Sequence, residues 1–237
     1  MTADLATIKF FVTPSHKCSY LPREDATTLF ADPKVVAQRD TYSELSELGF
    51  RRSGNYLYRP HCKRCDACIA VRIPVDQFSQ SKRHRRIWRK NEDLTVTQVA
   101  SQYSKEHYEV YARYISNKHS DGDMFPPSVN QYQSFLLSDW GTTNFIEFRL
   151  QDQLIAVAVA DVMTSGLSAV YTFYEPDFQQ RSLGVMAVLW QIEEVKRLGL
   201  PALYLGYWIK ECPKMRYKEE FSPLEMFINN RWEPYRG

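Results

Sequence analysis

Hydrophobic positions along the chain change period several times. Residues 7–12 alternate weakly, which predicts a short strand. Between Pro33 and Leu48 the apolar positions Val35, Val36, Tyr42, Leu45 and Leu48 predict a helix, with Gly49 at its exit. Ser53-Gly54-Asn55 reads as a hairpin turn between two short extended pieces. The run Ile69-Ala70-Val71-Arg72-Ile73-Pro74-Val75 reads as a strand, and Lys82 to Asn91 as a basic helix. These elements predict a small α+β unit with a Cys-rich loop over residues 1–100.

The second half has a different rhythm. Tyr108, Tyr111, Ala112 and Ile115 fall at helical spacing within residues 104–119, and a further helix is expected after Pro126-Pro127. Three strand-like runs follow at residues 144–150, 154–162 and 168–174, with turns at Gln151-Asp152 and Thr164-Ser165-Gly166. A long apolar helix over residues 182–198 is closed by Gly199, and a strand at residues 202–208 follows Pro201. Residues 224–228 read as a last strand. Helices, then an antiparallel meander, then a helix crossing into a further strand is the order of an N-acetyltransferase-like (GNAT/Fem-like) mixed sheet with helices. The expected class is α+β. A soft boundary near residue 100 separates a basic, cysteine-containing part (1–100) from an acyltransferase-like part (101–237). The two parts could also pack as one body.

Composition narrows the picture. The chain has 237 residues, 44% of them hydrophobic, enough for a sizeable core, and no apolar run approaches the ~20 residues of a membrane span. Met1 to Val12 carries an acid at Asp4 and no long apolar stretch, so no secretory leader is expected. Five cysteines, an odd number, suit reduced thiols in a cytoplasm.

Charge is distributed unevenly. Residues 51–90 hold twelve Lys or Arg against two acids, a local balance of +10, so the rest of the chain sums to −8 within a net charge of +2. Such a face suits a polyanion such as nucleic acid, and Trp88, His84, Tyr56 and Tyr58 in the same run could stack on unpaired bases. A merely solvated helix face is the plainer reading.

Four places carry candidate chemistry. Cys62, Cys65 and Cys68 recur every third residue, and structural zinc takes four N or S ligands. A fourth could come from Cys18, His16, His61 or Cys212; three ordinary thiols in a tight loop is the alternative. Arg72 stands where a ferredoxin-type run would place its fourth cysteine. Next, Arg181-x-x-Gly184 meets half of an acyl-donor pattern, with Met186 in place of the last small residue. Backbone N–H groups around Leu183 and Gly184 could meet an anion there, or Ser182 could simply cap a core helix. Third, Asp161 ends the apolar run 155–160, where partial desolvation would suit it to proton transfer. A buried Asp that caps a turn is the commoner case. Fourth, Gly206 within a strand permits close approach, and the aromatic and cationic residues from Tyr207 to Lys218 could line a groove.

Taken together these residues resemble a known family. Cys18-x-Tyr20-Leu21-Pro22, Gly49-Phe50-Arg51-Arg52-Ser53-Gly54, Tyr58-Arg59-Pro60 and the cysteines resemble the N-terminal half of the aminoacyl-tRNA–protein transferases. Tyr171-x-Phe173-Tyr174-Glu175-Pro176, Ser182-Leu183-Gly184 and Tyr204-Leu205-Gly206-Tyr207-Trp208-Ile209 resemble the C-terminal half. The chain is similar to the short bacterial leucyltransferase branch, a relative of the eukaryotic arginyltransferases. The resemblance implies transfer of leucine from leucyl-tRNA to an N-terminal Asp or Glu of a protein, marking it for N-end-rule degradation in the cytoplasm. In the longer eukaryotic pattern a Cys-x-x-Cys pair and a Cys-Cys pair form the metal or cluster site. Here the first is Cys18-Ser19-Tyr20-Leu21 and the second Cys65-Asp66, so neither pair is complete.

An aminoacyl ester is already activated, so no cofactor is required; a zinc ion or iron–sulfur cluster on Cys18, Cys62, Cys65 and Cys68 is the open question. Asp161 is the expected base or proton relay, and the resemblance points to the same acid. The acceptor's carboxylate needs a cation: Arg72 first, then Lys214 and Lys218, with Tyr207 beside them. The acceptor arm of the tRNA is expected on Lys82, Arg83, Arg85, Arg86, Arg89 and Lys90. Two rival functions stand beside this one: a coenzyme A-dependent acetyltransferase, and a zinc-stabilised RNA-binding module without catalysis.

Overall fold

The structure, a computed structural model, describes residues 7–34 and 39–235. Its first part contributes strands β1 (Phe10–Val12), β2 (His16–Lys17), β3 (Asp25–Ala26), β4 (Thr28–Ala31), β5 (Arg51–Ser53), β6 (Tyr56–Pro60) and β7 (Ile69–Pro74), with helices α1 (Arg39–Glu47) and α2 (Lys82–Lys90). Strand β8 (Leu94–Ala100) leads into α3 (Lys105–Lys118) and α4 (Val129–Leu136). The meander β9 (Thr143–Leu150), β10 (Gln153–Val162) and β11 (Leu167–Tyr174) follows, then the long α5 (Leu183–Arg197) and β12 (Ala202–Trp208). A short α6 (Pro213–Arg216) and the hairpin β13 (Glu225–Ile228) and β14 (Arg231–Pro234) complete the chain.

Local chemistry explains most boundaries. Within the helix expected from Pro33, Val35 and Val36 lie outside the described residues. The described α1 buries Tyr42 and Leu45, and its C-terminus is closed by Gly49 in the left-handed region (φ +81°), with Phe50 N–H returning to the Leu45 carbonyl. Gly54 (φ +57°) makes the β5–β6 turn, and a Cβ there would collide with the Ser134 carbonyl. Strand β8 was not expected, nor was β14 as a partner for the last strand.

Eight strands form one mixed sheet in the order β14-β13-β7-β12-β11-β10-β9-β8. Strand β7 pairs antiparallel with both β12 and β13. Its buried Ala70, Val71 and Ile73 suit a strand covered on both faces. Residues on either side of position 100 therefore share one sheet. Strand β10 shows how the two faces are filled: Ala156, Ala158 and Ala160 pack with α5, while Val157 and Val159 pack with α3 and α4 residues such as Tyr111, Ile115 and Tyr132. A smaller sheet, ordered β1-β4-β6-β5, lies with α1 over Met163, Ala202 and Tyr204.

One irregularity positions the site. The parallel strands β11 and β12 pair only at Leu167↔Leu203 and Ser168↔Tyr204. Beyond that point β11 stays with β10 and β12 continues along β7, so a wedge opens between them.

Candidate active site

Arg51 fills the apex of this wedge. Its guanidinium donates to the Ala169 carbonyl of β11 (2.6 Å) and the Tyr204 carbonyl of β12 (3.4 Å). Gly206 lies against this seat. It sits at a shift in the β12 register with φ +86°, and a Cβ there would lie 3.5 Å from Arg51 Nε. Arg51 is 7% exposed, and among the described residues no carboxylate forms an ion pair with it.

A second buried basic side chain lies within electrostatic reach of it. The segment after β12 carries α6 and a 3₁₀ turn, Tyr217–Glu220, that holds Lys218. Lys218 is 3% exposed, and its ammonium meets the Met215 carbonyl (3.4 Å), the Met215 sulfur (3.7 Å) and the Tyr217 ring (4.7 Å). None of these is an anion. Burial, and then the positive charge of Arg51, bring its pKa down to about 7, with Cys212 opposing weakly. Two buried basic side chains thus lie within electrostatic reach of each other without a carboxylate partner among the described residues.

The same segment touches the basic helix. Arg83 of α2 pairs with Glu220, and His84 is sandwiched between Phe78 and Phe221 at centroid distances of 5.8 and 5.2 Å. The far end of α2 touches the start of α5: Lys90 Nζ donates to the Gln180 carbonyl and Asn91 to the Arg181 carbonyl. Lys82, Arg83, Arg85, Arg86, Arg89 and Lys90 are all exposed. Their cationic surface therefore runs beside the wedge and its covering segment. His84 is buried and Trp88 packs against the core, so neither ring is open to stack on a base.

Asp161 occupies a different environment from the one expected of a base. It is 0% exposed. Arg52 grips it with two bonds (Nε–Oδ2 2.6 Å, Nη2–Oδ1 3.1 Å), Thr143 donates to Oδ1 (2.6 Å) and Tyr42 to Oδ2 (2.7 Å). Four donors from three elements of the fold saturate the carboxylate, which leaves no route for an incoming amine. Its geometry is that of a structural anchor for Arg52, and hence for strand β5 and the neighbouring Arg51.

Arg72, first choice for the acceptor's acid, is already neutralised. It donates to Glu225 (2.6 Å) and Glu47 (2.8 Å) and lies 4.4 Å above the Trp232 ring. It clamps α1 to β7 and β13. Lys214 is paired with Asp121 at 2.9 Å. The Tyr207 hydroxyl is spent on the carbonyls of Gly49 and Tyr58. Of the expected acceptor-binding cations, only Lys218 lacks an anionic partner among the described residues. Leu183 and Gly184 begin α5, where Ser182 holds the N-cap position with φ 56° but makes no side-chain cap bond. The sequence places Arg51 in the basic run and in the family-like stretch Gly49–Gly54 without a site role; its signal is Gly206, whose close approach needs a partner the sequence does not name.

Comparison with known proteins places this geometry in a family. The model for the arginine-tRNA-protein transferase N terminus matches residues 16–86, and that for the C terminus matches residues 106–228. The chain belongs to the arginine-tRNA-protein transferase family. Curated relatives include the aspartate/glutamate leucyltransferase of Pseudomonas aeruginosa strain LESB58, 55% identical over 229 residues and covering 97% of each chain. The protein of the same name from Alcanivorax borkumensis is 54% identical over 97% of this chain and 95% of its own. Among solved structures, L-PGS from Bacillus licheniformis is similar with a TM-score of 0.45 and 15% identity, covering 60% of this chain and 47% of that one. No described helix is long and apolar enough to cross a membrane.

Within this transferase the four cysteines Cys18, Cys62, Cys65 and Cys68 line one cavity of about 230 Å3, together with Tyr58 and Tyr207. Burial and the neighbouring thiols push Cys68 up to about 12, so it is a thiol at neutral pH. The Cys18 sulfur accepts from the backbone N–H groups of Tyr20 and Leu21, both at 3.4 Å. Among the described residues no three His, Cys, Asp or Glu side chains converge as a metal-binding group. The donors as arranged do not fit a zinc ion or a cluster, and no chemical step is derived through one.

Proposed function

We propose that the chain transfers leucine from leucyl-tRNA to the N-terminal Asp or Glu of acceptor proteins. The observation that carries this is the pair Arg51 and Lys218, two buried basic side chains without a carboxylate partner among the described residues, with Arg51 bonded across the wedge of an acyltransferase-like sheet. Leaving charge buried and unpaired is costly, and sites that do so are matched to an absent anion. An acidic side chain at the acceptor's N-terminus is that anion. The name borne by the relatives, aspartate/glutamate leucyltransferase, supports the same substrates.

The donor side follows from α2. Lys82, Arg83, Arg85, Arg86, Arg89 and Lys90 bind the phosphates of the tRNA acceptor arm, and the 3′ end continues over the covering segment into the wedge. The first-turn N–H groups at Leu183 and Gly184 take the terminal phosphate or the oxyanion of the tetrahedral intermediate. The ester needs no further activation, so the protein's work is to hold the acceptor α-amine against the carbonyl and to manage its protons. The reaction belongs in the cytoplasm, where charged tRNA is found, and its product is marked for the N-end-rule degradation machinery.

The deciding assay offers the protein labelled leucyl-tRNA or arginyl-tRNA with peptides beginning Asp, Glu or Lys. Labelled product from leucyl-tRNA with Asp and Glu peptides supports the proposal. Product only with arginyl-tRNA, or only with Lys peptides, overturns it.

A further inference from the structure

The acceptor reaches the enzyme mostly as an α-ammonium, because the reference pKa of that group is ~7.7–8.0. An ammonium is no nucleophile, and something must take its proton. Asp161 is buried beneath Arg52, Tyr42 and Thr143 and cannot reach it. The group at the wedge that can hold a proton or release it near neutral pH is Lys218.

The surroundings of Lys218 point the same way. Arg51 of β5 and the Cys212 thiol before α6 lie within electrostatic reach of it, and the Tyr217 ring of its own turn lies 4.7 Å away. The carboxylate of that turn, Glu220, is engaged by Arg83. Among the described residues nothing anionic therefore pairs with the charged form of Lys218. Burial beside Arg51 keeps it able to exist as a free amine at neutral pH.

We propose that neutral Lys218 takes the proton of the acceptor α-ammonium, and that the acceptor's own side-chain carboxylate, held with Arg51, stabilises the Lys218 ammonium that results. This deepens the leucyl-transfer reading and rests on it. The α-amine, now neutral, attacks the ester carbonyl. A C–N bond forms, the C–O bond to the 3′ ribose breaks, and the second proton of the attacking nitrogen passes to the ribose oxygen. The net proton released stays on Lys218 until product leaves, when loss of the carboxylate returns it to solvent. Aspartate and glutamate are then selected by turnover as well as by binding. An Asn or Gln N-terminus cannot stabilise the Lys218 ammonium and leaves the α-amine protonated.

The test compares wild type, Lys218→Arg and Lys218→Met using labelled leucyl-tRNA and an Asp-initiated peptide from pH 6.5 to 9.5. Thermal unfolding and leucyl-tRNA binding verify each variant's fold. Lys218→Arg keeps a cation for the carboxylate but supplies no base. It is expected to keep KM within several-fold of wild type and to lose about 100-fold or more in kcat at pH 7. That loss shrinks as pH rises past the α-amine's own pKa, where solvent supplies the free amine. Lys218→Met loses both KM and kcat. On an Asn-initiated peptide, wild type falls mainly in kcat. Unchanged kcat in Lys218→Arg, or an equal loss at every pH, overturns the base assignment while wild-type leucyl transfer still stands. Absence of leucyl transfer by wild type overturns the underlying reading, and this assignment with it.

Discussion

Arg51 packs directly against Gly206: a Cβ on residue 206 would stand in ordinary van der Waals contact with the guanidinium, 3.5 Å from Nε. The strand that bears Gly206 takes a left-handed φ of +86° at that position. Gly206→Ala therefore meets the penalty of a strained backbone at the point where the strand supports Arg51. Stability should fall by about 1–3 kcal/mol. Turnover of Asp-initiated peptides should fall further than leucyl-tRNA binding does. Urea unfolding and steady-state kinetics measure the two effects separately.

Asp161 tests structural support against chemistry. Its removal strands a fully buried guanidinium, since Arg52 has no other carboxylate within ion-pairing distance among the described residues. Asp161→Asn should cost roughly 3–5 kcal/mol of stability. Loss of transfer should track loss of folded protein in circular dichroism. A variant that folds as stably as wild type yet is inactive would return Asp161 to the chemistry.

Arg72 gives the opposite prediction to the one its sequence suggests. It is bonded to Glu47 and Glu225 and stacked over Trp232. Arg72→Gln should lower stability by about 1–3 kcal/mol and leave KM for Asp-initiated peptides within a few-fold of wild type.

Lys218 carries a stability cost with a definite pH dependence. Its pKa in the folded protein is about 7, below the ordinary 10.5. Between those values the unfolded chain binds a proton that the folded one does not, so folding is penalised at neutral pH and recovers as pH rises toward 10.5. Lys218→Met should therefore melt higher than wild type at pH 7, and the difference should narrow toward pH 10.5. Melting curves across that range check it, and a variant less stable at pH 7 would contradict it.

The basic helix predicts a salt effect. Arg85 and Arg86 are exposed, and neither pairs with a carboxylate among the described residues. The double variant Arg85→Glu with Arg86→Glu should weaken tRNA binding and reduce the slope of log affinity against log salt by roughly 2. An unchanged slope would move the tRNA elsewhere.

Much of the fold was legible because it is written in local periodicity. The apolar run at Ile69–Pro74 has the continuity of a doubly covered strand, and helix α5 and strand β12 follow their spacing. Strand β8 carried a readable alternation in Leu94, Thr95, Val96 and Thr97, which its position after the basic helix obscured. The site was legible only in part, because charge in a sequence does not declare its partner. Arg51 and Arg52 read as exposed cations, yet Arg52 meets an acid 109 residues away and Arg51 bridges two strands brought together at Ser168 and Tyr204. Arg72 and Lys218 exchanged standing for the same reason: Glu225 lies 153 residues from Arg72, while no acid among the described residues pairs with Lys218. The cysteines, adjacent in sequence, do line one cavity with Cys18 but do not converge as metal ligands.

The most direct measurement is the discrimination between Asp- and Asn-initiated peptides by wild type and by Arg51→Gln, with labelled leucyl-tRNA as donor. If the buried cations select the acidic acceptor, wild type should prefer Asp by about 30- to 100-fold or more in kcat/KM, and Arg51→Gln should reduce that preference below about 10-fold. Full discrimination retained by a folded Arg51→Gln would contradict the assignment of the wedge as the acceptor's site.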